Sequence, residues 1–130
     1  MMTKDTTTDI PNCPPHDAEP ATGRVYRCAK SNPAKARDMQ IHAEKGSLPN
    51  AAPCLRRALS AFRSQRDAEH QIRLFRRWKR RFVLFADLNH THGKVKLTSG
   101  QQPTHTSWWP ASSLSVEDRA SLFSLIREVP

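Results

Sequence analysis

The densest group of chemically capable side chains lies in residues 55–81. There Arg56, Arg57, Arg63, Arg66, Arg73, Arg76, Arg77, Lys79, Arg80 and Arg81 meet only two acids, Asp67 and Glu69, a net of +8. The whole chain carries +9, so nearly all of its excess charge sits in this one window. A field so concentrated attracts polyanions or acidic partners and is silent about fold. If residues 65–80 form one helix, Arg66, Arg73, Arg77 and Arg80 share a face beside Trp78, because side chains three, four and seven apart lie on one side of a helix. Arginines flanking an indole bind phosphates and stack on unpaired bases. Three readings stay open for residues 66–81, with Arg76, Lys79 and Arg81 included: a solvated helix face, a nucleic-acid surface, and a surface for an acidic protein partner. No recognised nucleic-acid motif accompanies the charge.

Other chemistries find less footing. Among six histidines and three cysteines there is no Cys-x-x-Cys pair. Cys13 and His16 fall in a proline-rich stretch, and His90 and His92 fall in a turn, so no metal site is expected. Ser60 lacks a Gly-x-Ser-x-Gly elbow, and no signature surrounds Cys28 or Cys54. An odd, sparse set of cysteines is unlike a secreted disulfide framework, which predicts free thiols, with Cys28 and Cys54 as small core residues. Asp38, Glu44, Asp67, Glu69 and Asp87 show no pairing of the kind a glycosidase needs. Asn89-His90-Thr91 matches a glycosylation sequon, a pattern short enough to arise by chance.

The elements that would position these groups can be read from spacing. Residues 1–21 hold Pro11, Pro14, Pro15 and Pro20 and almost no large apolar side chain. They cannot bury enough surface to offset ordering entropy, so a disordered tail is predicted ahead of one domain over residues 22–130. Residues 23–29 alternate as a short strand. Asn32-Pro33 reads as an N-cap and first helical proline, opening a helix with Ala36, Met39 and Ala43 on one face and a stop at Gly46. Residues 47–53 are a loop. Residues 59–62 form a short strand, and Ser64-Gln65-Arg66-Asp67 has capping-box spacing for a second helix with Ala68, Ile72 and Phe75 inside. Residues 82–88 are apolar on both alternations, as in a central strand covered on both faces. Residues 89–93 turn, residues 94–98 alternate as a half-exposed strand, and residues 105–109 are rich in strand formers up to Pro110. Ser115-Val116-Glu117-Asp118 repeats the capping-box spacing and starts a terminal helix with Val116, Ala120 and Phe123 on one side. The sum is an α+β domain, a mostly antiparallel sheet with about three helices.

Composition sets the outer bounds. The 130 residues, 37% hydrophobic and 25% charged with a mean hydropathy of −0.69, leave room for one core and not two. The longest uncharged apolar run, residues 82–86, is far short of the roughly 20 residues a membrane span needs. Met1-Met2-Thr3-Lys4-Asp5 continues into threonines rather than an apolar segment, so no secretory signal is read and a cytoplasmic protein is expected.

The order of a strand with Tyr26-Arg27, a helix with Asp38, a strand with Leu59-Ser60 running into a helix, a buried strand, and a late His105-Thr106-Ser107-Trp108-Trp109 resembles small bacterial ADP-ribosyltransferase-like domains. It is also similar to a group of short bacterial proteins with Tyr-Arg near the start and a His-Thr-x-Trp ending. The resemblance covers about residues 23–110. It implies an NAD-binding domain, active or inactive, in which Arg27, with Tyr26 beside it, contacts the phosphates or ribose. Ser60 would then stand on the nicotinamide side and His105 in the late polar position, where the family's catalytic glutamate has no counterpart. An arginine can hold a diphosphate bidentately, and Trp108 or Trp109 could stack on a base. Two functions therefore stand side by side: nucleotide binding through Arg27, Ser60 and His105, and non-enzymatic binding of nucleic acid or an acidic protein through residues 66–81.

Overall fold

The computed structural model describes residues 11–130. It shows the expected α+β domain, a seven-stranded antiparallel sheet with three short α-helices. The strands are β1 (Glu19–Pro20), β2 (Gly23–Ala29), β3 (Leu59–Phe62), β4 (Phe82–Leu88), β5 (Gly93–Leu97), β6 (His105–Pro110) and β7 (Ser124–Glu128), in the spatial order β1-β5-β6-β3-β2-β4-β7. The helices are α1 (His42–Lys45), α2 (Gln65–Leu74) and α3 (Val116–Ser121). None of the described helices is long and apolar enough to cross a membrane.

Strand alternation divides the core. Val25 and Ala29 of β2, Leu59 and Ala61 of β3, Leu84, Ala86 and Leu88 of β4 and Trp108 of β6 point to one face, where Met39, Ile41, Ala120 and Phe123 cover them. Cys28, Phe62 and Val83 point the other way, against Ala68 and Ile72 of α2. Burying Ile72 alone is worth about 1.5–3 kcal/mol. β4 is thus buried on both faces, as its composition requires, while β5 keeps Val95 inside and Lys94 and Leu97 outside. Ser64 caps α2 by accepting from Asp67 N, and Ser115 caps α3 by accepting from Asp118 N.

Several expectations are corrected. The predicted tail ends too late: Pro11 onward is described, β1 pairs with β5 at Glu19↔Val95, and Ala18 and Ala21 are buried, so backbone pairing orders a stretch that composition reads as unstructured. The part of that prediction over residues 1–10 lies outside the described residues. Cys13 and Cys54 are not free thiols but a disulfide spanning 41 positions, and only Cys28 is a buried thiol. Such bridges persist in oxidising surroundings. Asn32-Pro33 does not open a helix; its peptide is cis, and a 3-10 turn begins only at Ala36 (Ala36–Met39). The Asp38 carboxylate sets that start by accepting from Lys30 N and Lys35 N. Gly46 does end α1 as expected, with φ 74°. The residues after α2 leave the helix at Phe75 (φ −122°, ψ 56°), form a 3-10 turn over Arg76–Trp78 and reverse at Lys79 (φ 59°). Arg66, Arg73, Arg77 and Arg80 therefore do not share a single helix face. Finally, the chain ends on β7 rather than on a helix, because β4 offers residues 124–128 an open edge.

Candidate functional site

β2 and β3 are neighbours that pair through one register position, Tyr26↔Phe62. At the next residue of β2 the Arg27 guanidinium crosses the gap. Its Nη1 donates to the Ser60 carbonyl at 2.5 Å and its Nη2 to the Asp38 carbonyl at 2.5 Å. Arg27 is only 9% exposed, and its Nε is buried with no hydrogen-bond partner. Burial first, and the charge of Arg80 second, lower its pKa to about 10. A buried cation whose partners are two neutral carbonyls is costly, and an anion beside it would offset part of that cost.

Arg27 and Ser60 line a cavity of about 560 Å³. Lys30, Lys45, Arg77, Lys79 and Arg80 surround it as well, with His42, Gln40 and Gln71 between them, and no carboxylate side chain lines it. The electrostatic consequence is visible in its weaker bases. Burial, followed by the charges of Arg80, Arg27 and Lys30, holds Lys45 below the ordinary lysine value. Burial, followed by Lys45 and Arg80, likewise depresses His42. The turn after α2 supplies one wall: Trp78 stacks on Phe75 at 4.1 Å between centroids, Arg80 lies 5.2 Å from the Trp78 ring, and Arg77 lies 5.8 Å from both rings. An exposed indole ringed by guanidinium groups beside a concave cationic wall can take a planar group and a phosphate together.

On the sheet face that carries α2, β3 and β6 place Ser60 opposite Ser107 and Phe62 opposite His105. Ser60 Oγ lies 3.0 Å from His105 Nε2. His105 Nδ1 lies 2.9 Å from the Thr98 carbonyl and 3.0 Å from Thr98 Oγ1, which is itself 2.8 Å from Ser107 Oγ. Phe62 packs edge-on against the imidazole at 5.5 Å. Ser60, His105 and Ser107 line a second cavity of about 210 Å³.

The structure thus gathers residues that the sequence assigned to two separate ideas. Arg27 and Ser60 share the large cavity with Arg77, Trp78, Lys79 and Arg80, and His105 joins through Ser60. Tyr26 packs on the α2 face and lines neither cavity. Trp108 and Trp109 are buried, with their indole N–H groups donating to the carbonyls of His92 and Cys54, so neither offers a free face for stacking on a base. Arg66 and Arg76 are exposed away from the cavity, Arg73 pairs with Glu69 at 3.6 Å, and Arg81 pairs with Glu128 at 3.9 Å. Sequence reasoning missed Lys30, His42, Lys45 and Thr98, which enter only because distant loops converge. Among the described residues, no three His, Cys, Asp or Glu side chains gather as a metal site would require. In comparisons with known proteins, no family model, no curated protein and no solved structure matches this chain.

Proposed function

We propose that this protein binds a phosphate-bearing ligand of the nucleotide class in the 560 Å³ cavity. The observation that carries the reading is six cationic side chains and no carboxylate around one concave wall, the buried Arg27 among them. The volume lies within the roughly 300–1,000 Å³ typical of small-ligand sites. A diphosphate would lie against Arg27, Lys45 and Arg80, and its base would stack on Trp78, the most exposed of the three tryptophans. NAD is one member of this class. In this reading Trp78 does the stacking that the resemblance gave to Trp108 or Trp109.

A second reading is favoured by the position of Trp78. At 37% exposed and flanked by Arg77 and Arg80, it could hold an unpaired base of a nucleic-acid strand whose phosphate enters the cavity. Calorimetric titration with inorganic pyrophosphate, ADP, NAD and a short single-stranded oligonucleotide separates the two. The nucleotide reading expects saturable binding of pyrophosphate and tighter binding of ADP or NAD. An oligonucleotide that binds while free nucleotides do not would favour the second reading, and no binding of any of them at millimolar concentration would overturn both.

A further inference from the structure

We infer that Ser60 and His105 form a nucleophile and base that hydrolyse an ester joining a short apolar acyl group to a phosphate-bearing alcohol. The phosphate half of this inference rests on the preceding reading of the cationic cavity. The acyl chemistry rests on separate observations. The Thr98 carbonyl can only accept, so its 2.9 Å contact fixes the proton of the neutral imidazole on Nδ1. That leaves the lone pair on Nε2 facing the Ser60 hydroxyl at 3.0 Å, the arrangement in which a histidine activates a serine. Thr98 is held in turn by its N–H, which donates to the His105 carbonyl at 2.9 Å, and Phe62 supports the ring. The base thus has an orienting partner without a carboxylate.

Ser60 lies on the boundary between the two cavities. On one side is the cationic wall, and on the other is the 210 Å³ cavity, where Ala51 and Leu55 lie with Arg56, while Leu48 and Ala58 line both cavities as Ser60 does. Leu48 and Leu55 are 55% and 48% exposed, so their side chains are open to an apolar group entering this cavity. Leu48 also adopts φ 50°, a left-handed conformation strained for a bulky residue and of the kind found at ligand sites. An ester bound across the boundary would put its acyl chain on the leucines, its phosphate on the cations and its carbonyl carbon at Ser60.

The steps balance without a further reagent. Ser60 Oγ attacks the acyl carbon as its proton passes to His105 Nε2. The bond to the alcohol oxygen breaks, and that oxygen takes the proton from Nε2, leaving an acyl-serine. Water then adds to the acyl carbon, giving its proton to Nε2. The bond to Ser60 Oγ breaks, and Oγ recovers the proton. Ester and water become acid and alcohol.

The test uses the whole chain, p-nitrophenyl butyrate as the ester, and an alkyl fluorophosphonate as a serine-directed label located by peptide mass spectrometry. The expected result is turnover that Ser60→Ala abolishes and that His105→Gln lowers at least ~100-fold, the low end of a general base's contribution. The label is expected on Ser60 of the unmodified protein, a readout that does not depend on any variant folding. Turnover unchanged in Ser60→Ala, or a label absent from Ser60, overturns the inference. Pyrophosphate binding, measured separately, keeps the two proposals apart. A chain that binds pyrophosphate with Ser60 unlabelled loses only the hydrolytic inference, whereas a chain labelled at Ser60 that ignores pyrophosphate loses the cationic-cavity reading and with it the phosphate half of the substrate.

Discussion

Replacing Arg80 by glutamine removes one charge from the rim of the cationic cavity and leaves the sheet untouched. A space of about 560 Å³ has an equivalent radius of about 5 Å, so a phosphate at its centre would lie about 6 Å from a lining charge. Coulomb's law then gives about 0.7 kcal/mol per unit charge pair at the dielectric of water and about 2.8 kcal/mol at the value suited to a partly enclosed site. Arg80→Gln should therefore weaken pyrophosphate binding by roughly 3- to 100-fold at low ionic strength. The gap should narrow as salt is added, because screening sets in over about 10 Å at 0.1 M. Arg66→Gln is the matched control: Arg66 is exposed on α2 and does not line the cavity, so its loss should change affinity less than about twofold. Calorimetric titration of the three proteins at two salt concentrations measures this directly. If Arg66→Gln weakens binding as much as Arg80→Gln does, the anion is responding to overall charge, and the argument for a site is refuted.

Three further predictions concern pH, thiols and packing. A bound phosphate offsets the positive charge that, after burial, depresses His42, so the complex should take up protons and affinity should rise as pH falls through and below the ordinary histidine value of 6.5. Calorimetry in buffers of different ionisation enthalpy reads that uptake, and proton release would contradict it. Native protein should show no thiol reactive at pH 8, one after denaturation and three after denaturation with reduction, because Cys28 is buried with its pKa pushed up to about 11 and Cys13 and Cys54 are bonded. Reduction should also cost about 4 kcal/mol of stability from the loop closed over 41 positions, seen as a lower melting temperature. Gly93→Ala should destabilise by more than about 4 kcal/mol, since Gly93 sits at φ 121° and an added Cβ would fall on the Trp109 carbonyl oxygen. Gly100→Ala, with nothing within 4 Å, should stay within about 0.5 kcal/mol, and urea unfolding of both variants beside the unmodified protein measures the two changes.

Which parts of this architecture could be read in advance follows from the range of the forces involved. Capping at Ser64 and Ser115, the stop at Gly46 and the double-sided burial of residues 82–88 are local, so linear spacing carries them. The 19–20 strand and β7 are held by partners dozens of residues away, and neither has a strong periodic signature of its own. The Cys13–Cys54 bridge is invisible for the same reason: an odd count of three says nothing about which two meet. At the site, the arginine-rich window and the Arg27, Ser60 and His105 set were both legible as residue types. Their union in one place was not, because it depends on the chain reversing at Lys79 and on α1 bringing Lys45 across. The tryptophans show the limit of reading by type, since aromatic character is the same in a core as on a ligand.

The single pairing position between β2 and β3 makes the sheet two leaves with a seam. One leaf is β1-β5-β6-β3 and the other β2-β4-β7, and the Arg27 guanidinium stitches them where the backbone ladder stops. Amide protons beside that seam should exchange sooner than those deep in either leaf, because fewer backbone bonds must break to expose them. A ligand gripping Arg27 from one leaf and the loop before Ser60 from the other would act as a clasp, so occupancy would be felt as stiffness across the whole sheet as well as at the contact itself.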